Sequence, residues 1–332
     1  MQYKNLWPMM MSGFLFIGSV NAQGLLAGER EAKILPIAGV VSEQASWNLV
    51  WADFVTADGI TGVADGGVIF AQEQTDKIIK LTIDGQQFTL FENMNGPGSV
   101  SIDTSGRIFA VLRTCTEPLN DELAGCNELT RVVQVAPEFR LLATNFPDGR
   151  TLGRLNDLIA DGNGGAYFTS RGAYHVDAQG VVTVVEEQDL ISNGIMLDRN
   201  GRTLYVTNNT EVLAFDVAPD GSTSNRRNFA GLDGDRGGDG MAIDNEGRLY
   251  VTASLGVHVI AESGEYLGLI PTPRNPITLA FSGPEKKTLY VPMMGAVGPD
   301  GKAWTTPEGI RNIAMTIYTL PMLTSGFTAR PK

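Results

Sequence analysis

Histidine is almost missing from this sequence: among 332 residues there are two, His175 and His258. A three-histidine zinc centre within one chain is therefore excluded. A Ser-His-Asp triad would have to draw on one of those two residues, and no G-x-S-x-G turn is present to carry its nucleophile. Positive charge is also scarce. The 25 Lys and Arg stand against 37 Asp and Glu, a formal net charge of −12, which works against a polyanion surface, so nucleic acid is not an expected partner. Long hydrophobic runs are lacking as well. The most apolar stretch, Leu6 to Val20, falls short of the roughly 20 residues that a membrane-spanning helix needs. No segment carries the 3.6-residue periodicity of a long amphipathic helix. With so little imidazole, any enzyme chemistry falls to carboxylates and amides.

What the sequence does have is 39 Gly, 16 Pro and 43% hydrophobic residues, the composition of a turn-rich globular chain with ample core. The N-terminus reads as a processing signal over residues 1–22: Lys4 supplies positive charge, Leu6 to Val20 is apolar, and Val20-Asn21-Ala22 is a small-x-small cleavage site. An uncleaved anchor is the alternative. Cleavage predicts an exported protein, periplasmic or secreted, that starts at Gln23 and keeps no stable membrane span. Export gives meaning to Cys115 and Cys126, close together in the polar stretch CTEPLNDELAGC. A disulfide across that loop is expected, contributing about 2–3 kcal/mol; two unpaired thiols are the alternative.

An internal repeat dominates the remainder, residues 23–332. Six segments share an apolar alternation, a turn with Asp, Asn or Gly, and a short β-branched and aromatic run: 58–73, 96–112, 154–170, 192–208, 238–253 and 275–292. Each has the signature of a β-hairpin. The aromatics Phe70, Phe109, Phe168, Tyr205, Tyr250 and Tyr290 mark the second strand of each hairpin. They recur about every 40 residues, the length of a propeller blade. The longer interval between Phe109 and Phe168 holds an insertion around 113–130 with the cysteine pair. The expected architecture is an all-β, six-bladed β-propeller forming one domain. Its ring is closed by the C-terminal run 313–321 pairing with a strand from the N-terminal portion around LPIAGVV (35–41). Closure removes an exposed sheet edge.

In such a ring the innermost strands converge on a central channel. Their first positions here are Asp58, Pro97, Asn156, Asn193, Asp239 and Pro276. Four of the six bear side-chain oxygens in one register, the makings of a hard-oxygen cation site. Capping of turns beside glycine is the structural alternative. Ca²⁺ suits the set best, with Mg²⁺, Mn²⁺, Fe²⁺ and Zn²⁺ as alternatives.

The segments RLND, SNGIMLDRNGRTLYVTN and GDGMAIDNEGRLYVTA resemble the SMP-30/gluconolactonase/luciferin-regenerating family over nearly the whole of residues 23–332. The resemblance implies a six-bladed propeller and a metal-dependent hydrolase acting on a small molecule such as a sugar lactone. It implies one divalent metal held by Asp58, Asn193 and Asp239, with Asn156 as a further donor. Arg154 and Asn156 of the R-x-N-D motif, which Asp157 completes, would contact substrate, and Asp239 would be the catalytic base or nucleophile. One departure stands out: where the family carries E-G-P-x-W, this chain has Ala57-Asp58-Gly59-Ile60, a carboxylate one methylene shorter. A non-catalytic exported propeller that binds a small ligand or a protein at its channel face is the rival reading, and a strictosidine-synthase-like or paraoxonase-like propeller a third. Elsewhere, His175 and His258 are expected to be structural, Asp235 and Arg236 to lie in a solvated loop, and Glu73 to be exposed. Met293 and Met294 either line a pocket or pack.

Overall fold

The computed structural model describes residues 25–113, 130–188, 190–295, 305–306, 309–310 and 314–329. The signal expected at 1–22 and the pair Cys115 and Cys126 lie outside the described residues. Six four-stranded antiparallel sheets form the fold. From the innermost strand outward, blade 1 runs Asp58–Gly62, Val68–Gln72, Lys77–Leu81 and Gln87–Phe91, and blade 2 runs Pro97–Ile102, Ile108–Leu112, Arg131–Ala136 and Arg140–Ala143. Blade 3 comprises Leu158–Ala160, Ala166–Thr169, Ala173–Val176 and Val182–Glu186, and blade 4 Ser192–Leu197, Thr203–Asn208, Glu211–Val217 and Thr223–Gly231. Blade 5 comprises Met241–Ile243, Leu249–Ala253, Gly256–Ile260 and Tyr266–Pro271. Helix among the described residues is limited to two short 3₁₀ turns, Glu73–Thr75 and Pro284–Lys286.

Blade 6 closes the ring from both chain ends. Ala280–Ser282, Thr288–Met294 and Ala314–Pro321 supply three strands, and Asn48–Ala52 adds the fourth by pairing antiparallel with Ala314–Pro321. Closure through the C-terminal strand is as expected, but its partner is not the segment 35–41. There Ile37 and Val41 bridge each other around a turn in which Gly39 has φ +68°. A chain folded back on itself cannot extend a sheet edge, so its apolar residues pack instead. Ile34, Ile37, Val40 and Val41 are buried against Tyr250, Phe281 and Leu320.

The six marker aromatics all fall in second strands and are buried. They pack between neighbouring sheets, as when Tyr250 of blade 5 meets Phe281 of blade 6 edge-on at 5.0 Å. Met293 is wholly buried in the same core and packs there. The innermost strands of successive blades contact one another around the full circle, blade 6 returning to blade 1. Crowding there explains the glycines. A Cβ on Gly59 would stand 2.2 Å from Ser99 Cα, and one on Gly194 would stand 2.0 Å from the carbonyl oxygen of Asp239. Close approach of backbone to backbone, rather than positive φ, selects glycine at both places.

Candidate active site

One rim of the ring gathers the starts of the innermost strands and the ends of the second strands. Asp58 opens the inner strand of blade 1 and Asn193 lies at that of blade 4, while Asn156 and Asp239 sit just before those of blades 3 and 5. Glu73 directly follows the second strand of blade 1, and Arg113 that of blade 2. This topology places side chains from five blades on one floor.

Arg113 is the hub of that floor. Its side chain is 5% exposed, and all five of its N–H groups have acceptors. Nε donates to the Leu155 carbonyl at 2.8 Å, and Nη1 donates to Asp58 Oδ2 at 2.6 Å and Glu73 Oε2 at 3.0 Å. Nη2 donates to both the carbonyl (2.9 Å) and Oδ1 (3.1 Å) of Asn156. Burial by itself would lower the affinity of this guanidinium for its proton. Asp58 and Glu73 outweigh that and hold it above its ordinary value. A glycine makes the room: a Cβ on Gly98 would collide with Arg113 Nε at 2.0 Å.

Glu73 was expected at the surface, yet its side chain is 0% exposed. Two guanidinium groups explain the difference: Arg154 Nη2 also donates to Glu73 Oε1 at 3.1 Å. Even so, burial lifts this carboxyl above its usual range, Arg113 and then Arg154 pulling it back and Asp58 adding to the rise. Arg154 keeps 18% exposure, enough to meet a ligand from its anchored position.

Asp239 is only partly accessible and lies deep among protein atoms. Burial, followed by the charges of Asp58 and Asp157, pushes its carboxyl well above the ordinary carboxylate value, against Arg113 and the Gly240 N–H. Asn193 is half-buried beside it, and its carbonyl accepts from Thr169 Oγ1 at 2.5 Å. Asp157 is a tie between blades: its Oδ1 accepts from Ser99 Oγ at 2.6 Å and from the Leu158 N–H at 2.8 Å.

The structure thus brings Asp58, Arg154, Asn156 and Asp239 into one electrostatic group, with Asn193 alongside. Sequence reasoning missed Arg113 and misjudged Glu73. A signal for both was present: charges of opposite sign each follow a fully apolar or buried second strand in adjacent blades, IFAVLR and VIFAQE.

The four oxygen donors named from the sequence do not fit a divalent cation in this arrangement. Arg113 already occupies Asp58 Oδ2 and Asn156 Oδ1, and the Gly59 N–H takes Asp58 Oδ1 at 2.8 Å. That leaves Asn193 and Asp239, fewer side-chain donors than the six to eight oxygens Ca²⁺ gathers can rest on. No group of three His, Cys, Asp or Glu suited to a metal occurs among the described residues.

The remaining polar candidates are structural. His175 Nε2 pairs with Asp161 Oδ2 at 2.9 Å, and His258 Nε2 with Asp235 Oδ2 at 3.0 Å. Asp235 is therefore buried, not solvated, because it also accepts the N–H groups of Leu255 and Arg236; Arg236 itself is exposed.

Among known proteins, the chain is 30% identical over 210 residues to the pentonolactonase XacC of Haloferax volcanii, covering 59% of this chain and 71% of that protein. In fold it resembles a gluconolactonase from Xanthomonas campestris (TM-score 0.66, 18% identity, 90% of this chain and 96% of that one). It also resembles the calcium-binding protein regucalcin of Agrobacterium tumefaciens (TM-score 0.61, 16% identity, 89% and 97%). The profile of the SMP-30/Gluconolactonase/LRE-like region matches residues 73–294, and the chain belongs to that family.

Proposed function

We propose that this protein is an exported hydrolase that opens a sugar lactone or a related cyclic ester at the channel rim. The observation that carries the reading is the convergence, in a chain of this family, of Asp239, Asn193 and Arg154 from three blades beside the Asp58–Arg113–Glu73 cluster. Lactonase relatives support the reaction class. Export rests on the signal-like residues 1–22.

Asp239 acts as general base. Burial raises its carboxyl above the ordinary value, which makes the carboxylate a better proton acceptor than an exposed one. It takes a proton from water as the water oxygen bonds to the lactone carbonyl carbon. The ring C–O bond then breaks, and the proton passes from Asp239 to the departing ring oxygen, giving the open hydroxy acid. Direct attack by Asp239 on the carbonyl is the nucleophilic variant of the same role. Arg154, fixed by Glu73, orients hydroxyl-rich or anionic substrate, and the Asn193 amide donates to a substrate oxygen. The divalent metal implied by the resemblance, Ca²⁺ foremost, enters no step of this reading, since Arg113 engages two of its donors.

A panel of aldonolactones and simple esters, assayed with chelator and with added divalent ions, tests the proposal. Lactone hydrolysis is expected, and Asp239→Asn should reduce it about 10²–10⁴-fold while leaving the fold intact. Absence of hydrolysis under every condition would make the ligand-binding propeller the better account.

A further inference from the structure

We propose that the Arg113 guanidinium is a built-in cation that occupies the channel floor in place of a divalent metal ion. Arg113 is no chance neighbour of these carboxylates. It is buried, it spends all five N–H groups on Asp58, Glu73, Leu155 and Asn156, and Gly98 vacates the space its Nε fills. From blade 2, a planar fork with fixed donors holds two carboxylates of blade 1 and an amide of blade 3 at once, which the point charge of a lysine does not do. Its positive charge stands where the oxygens of Asp58 and Asn156 converge, so a dication approaching them meets a like charge in a poorly screened setting.

Saturation of its donors fixes the role. With no N–H left for a substrate oxygen, Arg113 is a positioning residue, setting Asp58, Glu73 and, through Glu73, Arg154. Asp58 Oδ2 is engaged by the guanidinium at 2.6 Å, and its other oxygen is tied to the Gly59 N–H at 2.8 Å. Removing the guanidinium should free Asp58 Oδ2 and Asn156 Oδ1 next to Asn193 and Asp239, while Arg154 keeps its hold on Glu73. That set approaches the oxygen-rich coordination that Ca²⁺ and Mn²⁺ take.

Binding of Mn²⁺, followed by electron paramagnetic resonance, and thermal melting with and without Ca²⁺ or Mn²⁺ test this on the full chain. These measurements read metal binding rather than turnover, so they stand apart from the question of lactone hydrolysis. Wild type should show no Asp58-dependent Mn²⁺ site and no melting shift with either ion. Arg113→Met should melt lower, gain Mn²⁺ affinity at least about tenfold and recover stability with the metal, and Asp58→Asn in that background should abolish both gains. The tenfold gain corresponds to about 1.4 kcal/mol. A stoichiometric Mn²⁺ site in wild type that Asp58→Asn destroys would overturn the proposal, whether or not Arg113→Met folds. So would an Arg113→Met protein that folds and takes up neither ion.

Discussion

A buried charge tolerates little change, and Glu73 is the sharpest case at the scale of single residues. Its carboxylate is wholly enclosed between Arg113 and Arg154. Truncation to alanine would leave two guanidinium groups short of a counter-charge in a site water barely reaches. Breaking such a pair from one side costs about 3–5 kcal/mol. Glu73→Ala should lose that much stability in urea unfolding, and Glu73→Gln, which keeps acceptor geometry, should lose less. Equal losses would mean that the negative charge, which both variants remove, carries the whole effect and that the filled volume and acceptor geometry add nothing. The Asp161–His175 pair makes a pH prediction. Burial raises the Asp161 carboxyl, but His175 and the N–H groups of Asn163 and Gly165 overcome this and hold it below its ordinary value of 3.8. A carboxyl depressed in the folded state adds stability above pH 3.8 that is lost as pH falls through its folded value. Wild type should therefore weaken more steeply below pH 4 than Asp161→Asn, as read from urea midpoints at successive pH values. Parallel acid profiles would remove Asp161 from the account.

At the scale of strands, what the sequence disclosed and what it hid have separate causes. Alternation and turn glycines located every inner hairpin, since a two-residue period with Gly at a tight turn has few other solutions. Marker aromatics fell in the second strands because that position is buried between sheets in every blade. The partner of the C-terminal strand was harder. Both 35–41 and 48–52 are short apolar runs, and only the turn at Gly39 separates the one that folds back from the one that extends. Asp58, Asn156, Asn193 and Asp239 could be found because they share a register. Arg113 shares its place directly after a second strand with one other charged residue, Glu73, of opposite sign, so no residue type recurring through the repeat points to it. The inner-strand glycines supply a test at this scale. Gly194→Ala would press a methyl group into the Asp239 backbone, whereas Gly231, on the outer strand of the same blade, has nothing within 4 Å. Overpacking of this kind costs about 1–3 kcal/mol. Gly194→Ala should lose at least that in stability and shift Asp239, lowering any lactone turnover, while Gly231→Ala should be close to neutral in both.

Considered as a whole molecule, the ring ties its functional rim to its chain ends. Each inner strand is held by two neighbours, so Asp58 of blade 1 keeps its place only while blade 6 presses on it from the other side. Blade 6 depends on Asn48–Ala52 for its outermost strand. Trp51 extends that dependence. Its indole N–H donates to Gln87 Oε1 of blade 1 at 2.8 Å, and its ring meets Phe70 edge-on at 5.1 Å. The segment therefore acts as a clasp between the last blade and the first. Trp51→Ala should cost about 3–5 kcal/mol, the scale for a large aromatic removed from packing. A chain beginning at Asp53 should fare worse, because it loses the buried Ile34, Ile37, Val40 and Val41 and leaves Ala314–Pro321 an unpaired edge open to association with other chains. Such a chain should melt at lower temperature and aggregate, and a synthetic peptide spanning residues 25–52, supplied in trans, should reverse both effects. A shortened chain that stays monomeric and melts like the parent would show that the ring holds without its clasp.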